Sequence, residues 1–73
     1  MPHVNIKYFA QPLSDDQKSG VVTAVTQALI EAGWADGIIS IAFEPIEKED
    51  WTEQVYEPEI INKKELLAKV PNY

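Results

Sequence analysis

The residue with the clearest chemical potential is Pro2, which directly follows Met1. Methionine aminopeptidases remove Met1 when the next residue is small, and we expect this processing to leave Pro2 with a free secondary amine. An ordinary α-amino group has a pKa of about 7.7–8.0, and burial in an apolar site lowers it because the charged form is disfavoured. Such an amine can act as a general base and acid. The Met-Pro start alone does not establish Pro2 as a catalytic base, since many proteins begin this way without a catalytic role.

The first element that must position Pro2 is a strand. Residues 2–9 alternate, with one face formed by Val4, Ile6 and Tyr8 and the other by His3, Asn5, Lys7 and Phe9. This period of two predicts a half-buried strand that begins at the candidate base. Pro12 lies in the segment that ends the strand, because proline cannot donate to a strand ladder.

A helix is predicted next. Ser14 and Gln17 have the spacing of a capping box, in which each side chain bonds the other residue's backbone amide. The apolar stripe that follows consists of Val21, Val22, Val25, Ala28, Leu29 and Ala32. Gly33 is suited to the C-terminal cap.

A second strand is predicted over 38–44, with Ile39, Ile41 and Phe43 on one face and Pro45 as its end. Strand, helix and strand together form a β-α-β unit, whose strands are parallel. A last helix is expected to have Pro58 in its first turn. Its inner side would carry Ile60, Ile61, Leu67 and Val70, and Pro71 would stop it.

Composition excludes several classes of protein. The chain has 73 residues, a net charge of −6, no cysteine and no arginine. An acidic chain without arginine is a poor nucleic-acid binder, and disulfides and thiolate metal sites are excluded. With one histidine, we expect no metal site. We expect a single domain over 1–73 in the cytoplasm, because no secretory signal precedes the first strand.

The length of the chain indicates that it associates with a partner subunit, because a chain of this size has a marginal core without disulfides or a metal. Two strands covered by helices on one side leave the other face bare. The residues of that face are Asn5, Lys7, Phe9, Ser40 and Ala42. We expect this face to pack on a copy of the chain in a homodimer, with a hexamer as the alternative.

Three segments, taken with the N-terminal proline, carry a resemblance to a known family. They are residues 1–7, residues 13–18 at the helix start and residues 39–44 in the second strand. In their order and spacing the chain resembles the 4-oxalocrotonate tautomerase family, and in particular its short phenylpyruvate-type members. The similarity continues through Glu49-Asp50-Trp51 to Tyr73, so it covers the whole chain.

The resemblance implies a β-α-β fold assembled through its sheets and cofactor-free keto–enol isomerisation of 2-oxo acids. Pro2 would be the general base. Trp51 corresponds to an aromatic wall of the family's pocket, and the alternative is a core tryptophan at a subunit boundary.

The chain departs from the family where arginines hold the substrate carboxylate, since Leu13 and Ser40 stand at those positions. Lysine does not copy the bidentate carboxylate recognition of arginine. The remaining candidates for substrate binding, besides Trp51, are Lys7, His3, Ser40 and Gln11. Each has a plain alternative: a solvated or interface lysine, a histidine bonded to a neighbouring group, or an uninvolved loop residue. An aromatic or monoanionic 2-oxo acid suits this set better than a dianion.

A second hypothesis is a non-catalytic oligomeric module that keeps the fold and has lost the chemistry. The missing arginines favour it, and an uncleaved Met1 would favour it further, because Pro2 would then be an amide.

Overall fold

The protein is described by a computed structural model that covers residues 1–73. Its main elements are strand β1 (His3–Phe9), helix α1 (Asp15–Glu31), strand β2 (Ser40–Ile46) and helix α2 (Thr52–Ile61). Single 3₁₀ turns cover Asp36–Ile38, Lys48–Asp50 and Lys64–Leu66. The fold is a β-α-β unit followed by a second helix, which confirms the predicted small α/β (α+β) class.

The two strands form a parallel two-stranded sheet, as the β-α-β pattern predicts. His3 pairs with Ser40 at one end and Phe9 with Ile46 at the other. Backbone hydrogen bonds extend the ladder past both ends of β1: the Ser40 N–H donates to the Pro2 carbonyl at 3.2 Å, and the Ala10 N–H donates to Ile46 at 2.8 Å. Pro2 is therefore fixed to the sheet through its carbonyl group.

The prediction that Pro45 ends the second strand is wrong. Pro45 lies inside β2 and pairs with Tyr8. Successive residues of a strand point their N–H groups to opposite edges, and the carbonyl of the next residue, Ile46, bonds to β1. Pro45 therefore faces the free edge of β2, where a missing N–H breaks no hydrogen bond.

Helix α1 has the predicted caps at both ends. The Ser14 hydroxyl accepts from the Gln17 N–H at 3.0 Å, and the Gln17 side chain accepts from the Ser14 N–H at 2.9 Å. At the other end, Gly33 has a φ of 118°. Its N–H and that of Trp34 donate to Ile30 and Leu29, which is the Schellman arrangement. Both caps were specified by local sequence.

Helix α1 covers the inner face of the sheet, formed by Val4, Ile6, Tyr8, Ile41 and Phe43. The side chain of Lys18 places its ammonium 6.0 Å from the Phe43 ring centroid. Val25 and Leu29, two members of the predicted stripe, are half-buried. Lys18, Val25 and Leu29 lie on one helical face. The predicted stripe is only partly packed, because Val21 and Val22 are 37% and 38% exposed and Ala28 and Ala32 are exposed as well.

The position of the last helix was predicted wrongly. Helix α2 begins at Thr52, six residues before Pro58, and ends at Ile61 with hydrogen bonds of π-helical spacing. Val70, expected on its inner side, is 69% exposed. Burial of Val55 explains the earlier start, because tertiary packing rather than proline placement stabilises a short helix.

Helix α2 lies on the outer face of the sheet, so that face is not bare throughout as predicted. Trp51, at the helix start, packs edge-on against Phe9 with ring centroids 4.9 Å apart. Glu59, near the helix end, lies 4.0 Å from the Lys7 ammonium. The only two buried residues of the chain, Ile46 and Val55, are 4% and 5% exposed and mark where α2 meets the sheet.

The single chain exposes more surface than a compact monomer of the same mass. Its accessible area is 5627 Å², against roughly 4500 Å² expected for a compact monomer of this mass. The radius of gyration is 13.8 Å, against about 11 Å for a compact domain of this length. No helix has the length and hydropathy needed to cross a membrane.

Replacing Ser14 by alanine is expected to lower the free energy of unfolding by about 1 kcal/mol, because the Gln17 N–H loses its acceptor. Urea unfolding at fixed protein concentration measures the change. Ser19→Ala, an exposed position inside the same helix, is the matched control and should change stability little. Equal losses in both variants would contradict the role of the cap.

Candidate active site

The N-terminal end of the sheet holds the predicted base. Pro2 is half-buried, and Met1 before it is 94% exposed. The His3 Nδ1 atom lies 2.6 Å from the Ser40 hydroxyl, in hydrogen-bond contact. Ser40 thus contacts two consecutive residues of the other strand's start: its backbone N–H bonds Pro2, and its side chain bonds His3. While Met1 is attached, the Pro2 nitrogen is a tertiary amide without a basic lone pair.

A polar pair occupies the middle of the outer face. The Asn5 side-chain amide donates to Glu44 Oε1 at 3.0 Å, and both residues are exposed. This pair separates the Pro2 end of the face from the end that α2 covers.

The chain's pocket lies at the covered end. Its volume is about 440 Å³, and it is lined by Lys7, Tyr8, Phe9, Trp51 and Tyr73. The rings of Phe9 and Trp51 meet at 84°, an edge-to-face contact that favours aromatic pairs. Four of the five lining side chains are aromatic, so the pocket is suited to a flat apolar group.

Lys7 supplies the only charged side chain among the lining residues. Its side chain is 25% exposed, and its ammonium lies 4.0 Å from Glu59 Oε1. The same carboxylate accepts hydrogen bonds from Lys63 at 3.3 Å on both oxygens. An ammonium in this position can hold one carboxylate of a ligand whose body lies among the rings.

The structure divides the predicted site residues between two places. Lys7 and Trp51 share the pocket, while His3 and Ser40 contact each other beside Pro2. Gln11 is exposed in the loop after β1 and does not line the pocket.

The sequence does not predict three of the lining residues, which are Tyr8, Phe9 and Tyr73. Phe9 had a usable signal, because strand alternation puts it on the same face as Lys7. Tyr73 had none, since it comes to the pocket across an irregular segment and packs near Tyr56 with ring centroids 5.8 Å apart. No group of three His, Asp or Glu side chains lies close enough to hold a metal ion.

Comparison with known proteins identifies the class. The family model described as tautomerase enzyme matches residues 2–55, which include Pro2, both strands, α1 and Trp51. The chain belongs to the tautomerase family. The resemblance to the 4-oxalocrotonate tautomerase family stated from the sequence is thereby confirmed.

Curated relatives match over the full length. The chain is 36% identical to Tautomerase PptA of Enterobacter sp. (strain 638) over 74 aligned positions, which cover 100% of this chain and 97% of the relative. It is 34% identical to Tautomerase PptA of Pectobacterium carotovorum and 35% identical to that of Escherichia coli O9:H4, with the same coverage. The family and these relatives support an isomerase of the short, phenylpyruvate-type tautomerase subgroup.

The pocket predicts a fluorescence response. Because Trp51 lines it, saturation with 3-phenylpropionate should change the protein's tryptophan emission. The change should be lost in Trp51→Phe and kept in Trp34→Phe, since Trp34 is 42% exposed and lies outside the pocket. A change that follows Trp34 instead would show that aromatic carboxylates bind elsewhere.

Proposed function

We propose that the chain catalyses keto–enol tautomerisation of a small aromatic 2-oxo acid, with the secondary amine of Pro2 as the general base after removal of Met1. The observation that carries this proposal is an N-terminal proline at the start of β1 in a chain of the tautomerase family. The amine takes the proton from the enol hydroxyl as the carbonyl forms, and the resulting ammonium returns a proton to the adjacent carbon. The reaction balances without any cofactor.

The pocket supports an aromatic monoanion as substrate. Its rings offer apolar contact, and Lys7 offers one positive charge. Since the chain has no arginine, it lacks the bidentate group that a second carboxylate would need. A dicarboxylate would also approach Glu59, which lies beside Lys7.

Pro2 does not line the pocket of its own chain. Lys7 follows Pro2 by five positions along β1, and five positions of a strand span about 16 Å. A small 2-oxo acid is shorter than this distance. We propose that a second copy packs with its strands antiparallel across the outer face, so that Pro2 of one copy approaches the pocket of the other.

The exposed surface supports this assembly. The excess over a compact monomer, roughly 1100 Å² by the mass relation, is comparable to the approximately 800 Å² that each partner buries in a standard interface. A homodimer satisfies the antiparallel arrangement with one two-fold axis, and a hexamer is the alternative.

His3 and Ser40 are proposed to bind and orient substrate beside Pro2. Their hydrogen bond holds the His3 ring through Nδ1, which leaves Nε2 available to a substrate oxygen. Gln11 stays a prediction as a weak carboxylate ligand. The single domain over 1–73 and the cytoplasmic location also stay predictions.

Replacement of Pro2 by alanine is expected to lower kcat/KM for phenylpyruvate tautomerisation by about 10²-fold or more, because general base catalysis contributes on that scale. The assay follows the enol absorbance, with intact mass spectrometry to establish that Met1 has been removed. Pro12→Ala, an exposed proline in the loop after β1, is the matched control and should keep the wild-type rate.

Two outcomes would contradict this assignment. Equal rates for Pro2→Ala and the processed wild type would remove Pro2 from the chemistry. Full retention of Met1 in the native protein, with no activity, would instead favour the non-catalytic oligomeric module.

Sedimentation tests the assembly. A homodimer predicts a mass of about 16 kDa, twice the 8.2 kDa of the chain. A mass near 49 kDa would show the hexamer, and a mass near 8.2 kDa at assay concentrations would contradict a site completed by a second copy.

A further inference from the structure

Glu59 lies beside the pocket and takes no part in the proposed proton transfer. Its carboxylate is 4.0 Å from the Lys7 ammonium, and its side chain is 40% exposed. At that separation the pair is beyond hydrogen-bond distance, yet the two charges interact. Glu59 therefore acts on the only charged side chain that lines the pocket without occupying the hydrogen-bond donors of Lys7.

A second lysine keeps Glu59 in this position. The Lys63 ammonium donates to both carboxylate oxygens at 3.3 Å from one helical turn away. Glu59 is thus hydrogen-bonded by Lys63 and only electrostatically coupled to Lys7. The geometry leaves the Lys7 donors free for a ligand while a negative charge stays next to them.

This arrangement has different consequences for ligands of different charge. A single carboxylate can bond the Lys7 donors, although Glu59 weakens the attraction. A second carboxylate finds no further cation among the lining residues and meets the Glu59 charge. Because Coulomb energy scales with ligand charge, a dianion is penalised about twice as much in free energy as a monoanion.

We propose that Glu59 is a specificity-determining residue. Its negative charge weakens the attraction of the pocket for anions, so that the pocket accepts aromatic monocarboxylates and rejects dicarboxylates. The proposal rests on the proposed function only in assigning the substrate carboxylate to Lys7. It does not depend on Pro2, since the selection acts on binding.

The test is calorimetric binding of three unreactive probes: 3-phenylpropionate (one negative charge), phenylsuccinate (two) and 3-phenylpropanamide (none). Glu59→Gln keeps the side-chain shape and removes the charge. We expect affinity to rise about 3-fold for the monoanion and about 10-fold for the dianion. Doubling the ligand charge doubles the change in binding free energy, which squares the ratio of variant to wild-type affinity. Affinity for the amide should not change.

Three variants serve as controls. Glu57→Gln removes the same charge from an exposed position on α2 and should leave all three affinities unchanged. Lys7→Met should weaken binding of both anions whether or not Glu59 is also changed, because it removes the cation that holds the ligand carboxylate. Lys63→Met leaves Lys7 as the only cation near Glu59 and should weaken binding of both anions.

Equal effects of Glu59→Gln and Glu57→Gln, or an equal gain for the neutral amide, would overturn the proposal. If the wild type binds none of the probes, the pocket does not accept aromatic carboxylates, and both the Glu59 role and the substrate class fail. Neither result bears on Pro2, whose role is decided by turnover of the Pro2→Ala variant.

Discussion

The structure depends on one constraint: a parallel pair of seven-residue strands is too small a sheet to bury the residues on its own faces. Helix α1 half-buries the inner face and α2 covers one end of the outer face, yet only Ile46 and Val55 become buried in the single chain. Two-stranded sheets gain stability from further cover. The same uncovered surface that limits stability is where Pro2, His3 and Ser40 lie, so assembly and function are expected to use the same face.

The site also reflects the absence of arginine. In its place the chain offers one half-buried lysine among aromatic rings, with Glu59 beside it. A lysine is a point charge that binds one carboxylate without fixing its orientation. The edge-to-face contact between Phe9 and Trp51 gives the pocket an apolar aromatic wall, which favours a substrate with a flat apolar body.

Local sequence was sufficient to predict features that depend on neighbouring residues. The Ser14–Gln17 capping box and the Gly33 cap follow from short-range patterns and are present. The parallel pairing of β1 with β2 follows from the strand, helix, strand order and is also present. The errors involve proline and tertiary packing. Sequence patterns predict element boundaries at Pro45 and Pro58, whereas the free edge of β2 tolerates Pro45 and the π-helical turn of α2 contains Pro58. Tyr73 could not have been assigned to the pocket, because nothing local brings the segment after α2 back to β1.

The central claim is that Pro2 of one copy and the pocket of another form one site. The most direct measurement uses two variants, Pro2→Ala and Trp51→Ala, which each alter one half of the site. Each is first shown to be inactive alone and to keep the wild-type oligomeric mass, and the two are then mixed, dissociated and reassociated. If the site is shared, the mixture of dimers should recover about a quarter of the wild-type rate, since half of randomly paired dimers are mixed and each contains one intact site of two. If both residues act within one chain, the mixture should stay as inactive as its components.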